Sequence, residues 1–160
     1  KIIKDQTPQY FVSLGADIPS FLLKKNCLAL GIGENLYVEN FPKYFFLIVK
    51  PNFENSTKEM YKKFGLKKNS YVENLSFELN KINEDDTGND FERLVAKDNK
   101  EFIDIIDFLQ NLNNVIFSRM TGSGSCCYAV FEKKKEALQA RDIFKKNFSD
   151  LWTFVAENNY

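Results

Sequence analysis

The chain has 160 residues, with 22 lysines and arginines against 22 aspartates and glutamates and no histidine. Zero net charge argues against a nucleic-acid footprint or an anionic membrane surface, and the lack of histidine excludes His-based triads, His–metal sites and imidazole bases within these residues. At 44% hydrophobic, with sixteen phenylalanines, the chain can fill the core of one domain, or of one domain plus part of another. Its apolar runs are too short to span a bilayer and no signal-peptide pattern opens it, so a cytoplasmic protein with no membrane partner is expected. Cys27, Cys126 and Cys127 have no metal-ligand spacing and read as free thiols. The first residue is Lys1, not methionine, which predicts that the natural chain begins upstream.

Residues 1–12 are weakly patterned, and Pro8 breaks any helix begun there. In Leu14-Gly15-Ala16-Asp17-Ile18-Pro19-Ser20-Phe21-Leu22 a carboxylate sits within apolar sequence. Such a group needs a partner, and Asp17 reads either as a turn or N-cap residue or as a functional acid. Cys27–Leu30 and Leu36–Val38 predict a strand pair turned by Gly31-Ile32-Gly33-Glu34, and a domain boundary is placed near Pro42. Tyr44–Val49 is a continuous apolar run, predicted as a central strand buried on both faces. Ser56 or Thr57 can cap a short helix with Met60, Tyr61 and Phe64 as its apolar members.

Residues 66–88 are polar and predicted as a surface segment, with the acidic Glu84-Asp85-Asp86 as a solvated loop rather than a metal site. A helix begins at Asn89-Asp90-Phe91-Glu92, with Leu94 and Val95 inward. A second follows Asp98-Asn99, with Phe102, Ile105, Ile106, Leu109 and Leu112 at helical steps and Asp104, Asp107 and Gln110 on the wet face. Strands are predicted at Val115–Phe117 and Cys126–Phe131, then a helix over Lys133–Asn147 and a strand over Trp152–Ala156. The helix packs through Ala137, Leu138, Arg141 (by its stem), Phe144 and Phe148. From Tyr44 onward this order is α+β, the ferredoxin-like split βαβ arrangement.

Between the fourth and fifth strand runs lies Thr121-Gly122-Ser123-Gly124-Ser125. Two glycines can take positive φ and bring backbone N–H groups to an anion, while three hydroxyls add donors without bulk. The same composition also serves an ordinary hairpin turn.

The stretch around Asp17, the Gly31–Glu34 hairpin, Asn89–Glu92 and Ser118–Gly124 occur in this order and spacing in the GHMP small-molecule kinases, and from about residue 10 to the end the chain resembles that family. The resemblance implies a C-terminal GHMP kinase domain over residues 43–160, preceded by the tail of the N-terminal domain over residues 1–42. It implies ATP as phosphoryl donor, with Mg²⁺, and a cytidine diphosphate derivative as the alcohol substrate, on the non-mevalonate route to isoprenoids. Asp17 matches the family's catalytic carboxylate, which accepts or orients the hydroxyl proton. Tyr61 matches an aromatic that stacks on cytosine, with Thr57 beside it in the substrate segment, although a core tyrosine fits the helix equally. Thr121, Gly122, Ser123, Gly124 and Ser125 match the motif lining the phosphate pocket.

Other readings are another GHMP kinase, of homoserine or mevalonate type, or a stand-alone ferredoxin-like ligand-binding module. The family's long glycine- and serine-rich phosphate loop has no counterpart in these residues, nor has the lysine that assists the aspartate. The expected partner is therefore the N-terminal half of the same enzyme, without which the chain is inactive and its 27–38 hairpin has exposed edges prone to associate. A titration of this polypeptide alone with ATP should show no micromolar binding; micromolar affinity would overturn that expectation.

Overall fold

The computed structural model describes residues 14–65 and 87–158. The expectations for residues 1–12, with Pro8, and for most of the polar segment, with Glu84-Asp85-Asp86, lie outside the described residues. Two compact units divide the rest, one containing residues 14–43 and Asn158, the other residues 44–65 and 87–157.

In the first unit, α1 (Ile18–Leu23) has Pro19 in its first turn, where a missing N–H costs nothing, and ends at Lys24 in the left-handed region. β1 (Cys27–Leu30) and β2 (Asn35–Val38) form an antiparallel pair from Cys27↔Val38 to Leu30↔Asn35. The turn between them uses φ of +73° at Gly31 and +99° at Gly33, where a Cβ would meet the carbonyl oxygen of Ala16.

The second unit is one antiparallel sheet of β3 (Phe45–Lys50), β4 (Ser118–Met120), β5 (Cys127–Phe131) and β6 (Trp152–Glu157), in the order β4-β5-β3-β6. Numbered by appearance within this unit the order is 2-3-1-4, which is the ferredoxin-like topology predicted from the element order. α2 (Thr57–Phe64), α3 (Glu92–Asp98) and α4 (Lys100–Gln110) form the first crossover, and α5 (Lys134–Asn147) the second. Ser56 is the N-cap of α2, its hydroxyl accepting from the N–H of Glu59, so Thr57 is already helical. Asn99 caps α4 by accepting from the N–H of Phe102 at 3.0 Å.

The core lies between one sheet face and the helices. Leu47, Val49, Cys127, Ala129 and Phe131 from the strands pack with Ile105 and Leu109 of α4 and Ala137, Ala140 and Phe144 of α5. Phe108, Phe144 and Phe148 extend it as an aromatic cluster, the last two stacked at 4.6 Å.

Several expectations are corrected. β3 is buried on one face only: Leu47 and Val49 are inaccessible, whereas Phe46 and Ile48 are half-buried on the opposite face, where Tyr44, Phe117 and Val130 form a smaller cluster. The strand predicted at Val115–Phe117 is displaced, since β4 starts at Ser118 and Val115–Phe117 precede it, although Ile116 N–H still donates to Val130 O and Val130 N–H to Phe117 O. The reason is Gln110, which leaves the predicted wet face. Its Oε1 accepts from both the N–H (3.0 Å) and the hydroxyl (2.7 Å) of buried Ser118, so a polar residue can open a core strand. On α5, Ala140 is buried, while Arg141 is only half-buried and pairs with Asp142 at 3.0 Å.

Cys127 is fully enclosed, and burial, aided by the nearby Glu92 and Cys126, pushes its thiol pKa from 9.0 up to about 12. A raised pKa means the folded state holds the proton, so this group's contribution to stability is complete below pH 9.0 and lost as pH rises toward about 12. Brief alkylation at pH 8 followed by peptide mapping should label half-buried Cys126 and leave Cys127 unmodified until denaturant is added. Equal labelling rates in the native protein would contradict this packing.

Candidate functional site

The glycine-rich segment between β4 and β5 is a compact loop. Thr121 N–H donates to Cys126 O at 2.8 Å, and Gly124 N–H to Thr121 O at 3.0 Å, closing it on itself. Gly122 and Gly124 hold φ of +54° and +92°, which side-chain-bearing residues resist. Gly124 is also pressed from outside: a Cβ there would lie 2.5 Å from Asn55 Nδ2 and 2.8 Å from Met120 Sδ.

Two elements grip the loop from their N-terminal ends. Ahead of α2, Asn55 Nδ2 donates to Ser123 O at 3.2 Å, and the Oγ1 of Thr57, its first residue, lies 2.8 Å from Ser123 Oγ, a hydroxyl pair in which either can donate. Ahead of α3, Asn89 Nδ2 donates to the carbonyl oxygens of Met120 and Gly122, both at 2.8 Å. Glu92 in the first turn of α3 accepts the N–H of Met120 at 2.5 Å. Burial pushes the Glu92 carboxyl pKa up, partly opposed by that N–H and by the Arg119 guanidinium. Arg119 donates to Ser118 O and Thr87 O at 2.8 and 3.0 Å, and its guanidinium stands 5.8 Å from the Phe117 ring centre.

A cleft of about 400 Å³ runs between the start of α3 and this loop, lined by Asn89, Phe91, Met120, Thr121, Gly122 and Tyr128 among others. Tyr61 is half exposed and meets Phe91 edge-on at 5.0 Å, so Met60, not Tyr61, is the buried member of α2.

Thr57 and the loop from Thr121 to Ser125, distant in sequence, are thus in direct contact. Ser125 is buried at the loop's base, while Thr121 and Gly122 are exposed. Asp17 belongs to the first unit, at the N-cap position of α1, where its exposed side chain makes no capping bond and its backbone carbonyl accepts from Ser20 Oγ at 2.7 Å. Sequence reasoning assigned no role to Asn55, Asn89 or Glu92. For Asn89 and Glu92 a signal existed, since Asn89-Asp90-Phe91-Glu92 stands out as a helix start. Asn55 carries no local signal.

Residues 72–150 match the family described as "GHMP kinases C terminal", and this stretch is a GHMP kinase C-terminal domain. The chain is 32% identical over 147 residues, 92% of its length, to the 4-diphosphocytidyl-2-C-methyl-D-erythritol kinase of Buchnera aphidicola subsp. Schizaphis graminum, of which it covers 48%. It is 33% identical over 152 residues to the kinase of the same name from Haemophilus ducreyi, covering 95% of this chain and 50% of that one. The chain therefore spans about half the length of the curated relatives it matches. Among solved structures, a 4-(cytidine 5'-diphospho)-2C-methyl-D-erythritol kinase superimposes with a TM-score of 0.73 at 20% identity, over 97% of this chain and 59% of that one. The homoserine kinase of Cytophaga hutchinsonii gives 0.55 at 15% identity, over 90% and 51%. At such identities these likenesses establish the fold alone.

Replacing Gly124 by alanine should destabilise the protein by roughly 1–3 kcal/mol, through the positive φ and the contacts with Asn55 and Met120. Thermal unfolding measures it; an unchanged melting temperature would mean the loop is not held as described.

Proposed function

We propose that this chain is the C-terminal portion of a GHMP kinase that transfers the γ-phosphoryl of ATP to the 2-hydroxyl of 4-diphosphocytidyl-2-C-methyl-D-erythritol, on the non-mevalonate route to isoprenoids. Residues 43–160 form its C-terminal domain and residues 1–42 the tail of its N-terminal domain. The observation that carries the reading is the contact between Thr57 and Ser123, which joins the substrate segment to the glycine loop. The names of the curated relatives support the same substrate.

In this reaction the 2-hydroxyl oxygen forms a bond to the γ-phosphorus as the bond to the bridging oxygen breaks, ADP leaves, and the hydroxyl proton passes to a base. Asp17 is that base, an exposed carboxylate in a chain without histidine. Thr121, Gly122, Ser123, Gly124 and Ser125 line the phosphate pocket, with backbone N–H groups and hydroxyls on transferring charge. Thr57 contributes to binding of the alcohol substrate, and half-exposed Tyr61 stacks on cytosine. Among the described residues no group of three or more acidic or cysteine side chains converges, so no Mg²⁺ site is assigned to them and no step depends on one here. The remaining half of the enzyme supplies the ATP phosphate loop. Among the described residues no helix is long and apolar enough to cross a membrane.

The alternative is another GHMP kinase, of homoserine or mevalonate type. Protection of the Tyr61 region from hydrogen exchange by cytidine nucleotide selects the first. In the full-length parent, Asp17→Asn should lower kcat by roughly 10²–10⁴-fold while the affinity for nucleotide stays constant. Phosphorus NMR of the products follows the reaction, and unchanged turnover would remove Asp17 from the chemistry.

A further inference from the structure

One asparagine outside the glycine loop spends both hydrogens of its side-chain amide on holding it. The Nδ2 of Asn89 donates to Met120 O and Gly122 O, 2.8 Å each, and its Oδ1 accepts the N–H of Phe91 at 3.0 Å, which fixes the amide's orientation. Aspartate has the same shape but offers only acceptors to those two carbonyls. Glu92, three residues on, takes the Met120 N–H.

Peptide planarity turns these contacts into orientation, because in a trans peptide the N–H points opposite to the carbonyl. With the Met120 carbonyl on Asn89, the N–H of Thr121 faces Cys126 O at 2.8 Å and closes the loop. With the Gly122 carbonyl on Asn89, the N–H of Ser123 points away from Asn89, and no described residue accepts it. The positive φ of Gly122 allows this arrangement without side-chain strain.

We propose that Asn89 is a positioning residue for phosphoryl transfer: it locks the Met120–Thr121 and Gly122–Ser123 peptide planes, while Glu92 holds the preceding Arg119–Met120 plane, so that the Ser123 N–H is presented already oriented to the phosphoryl group in flight. The proposal rests on the kinase reading above and adds to it the device that holds the donor. A preorganised donor acts where charge develops, with no reorganisation during the reaction.

The test uses the full-length parent with Asn89→Asp, Glu92→Gln and Glu92→Ala. It measures kcat, KM for ATP and for the alcohol, melting temperature, and deuterium exchange of the peptide spanning residues 119–126. Asn89→Asp should lower kcat by about tenfold or more while both KM values stay within about twofold, with faster exchange in the loop. Glu92→Gln keeps an acceptor for Met120 and should lose less activity than Glu92→Ala. An Asn89→Asp enzyme with wild-type kcat, or one altered only in melting temperature, overturns the proposal. If that variant does not fold, the glutamate pair decides: a larger loss in Glu92→Ala upholds the proposal, and equal activity overturns it. Wild-type protein that transfers no phosphoryl group counts against the kinase reading, whereas an active wild type with an indifferent Asn89→Asp counts against Asn89 alone.

Discussion

Burial of one face of the four-stranded sheet against α4 and α5 is the constraint on which the second unit depends. Leu47, Val49 and Phe131 from the strands, with Ile105, Leu109 and Phe144 from the helices, are completely withdrawn from water. Each such side chain is worth ~1.5–3 kcal/mol of transfer free energy, and each restricts strand register, because a slip of one residue would turn the apolar set outward. With β3, β4 and β5 locked in this way, the ends of β4 and β5 have a fixed separation. The loop between them is thereby carried to one place beside the starts of α2 and α3.

Holding the loop is a different physical problem from placing it. A five-residue segment with two glycines has much conformational entropy to lose and no apolar side chain to bury in exchange. The structure answers with hydrogen bonds to backbone carbonyls and N–H groups from Asn55, Asn89 and Glu92, all next to or within the first turn of a helix that is itself packed on the core. Amide side chains suit the task. They donate to carbonyls without charge, and their short length keeps the loop close to the rigid elements. The contact between Thr57 and Ser123 joins the two sides of this arrangement.

Much of the second unit was legible in the sequence because its elements are periodic. The three- and four-residue steps from Phe102 to Leu109 and the unbroken apolar run at Tyr44–Val49 identify α4 and β3 from local pattern. Gln110 and Ser118 show where local pattern stops. Both are polar and read as surface or loop, yet each satisfies the other inside the fold and moves β4 three residues along. The glycine loop was legible by composition, and Asn89 only as part of a helix start, whereas Asn55 carries no local signal. An asparagine ahead of a helix reads as a cap or a turn, and only the partner's position tells which carbonyl it reaches.

Sequence alone determined the split βαβ order of elements, the absence of imidazole chemistry, and the two small-residue positions where the loop could adopt positive φ. Those follow from side-chain periodicity, composition and steric allowance, which are local properties. Tertiary structure decided that residues 55–57 and 89–92, over thirty positions apart, both close upon residues 120–123. Long-range hydrogen bonds of this kind leave no periodic trace, because a side-chain amide carries no information about a backbone carbonyl until packing brings the two together.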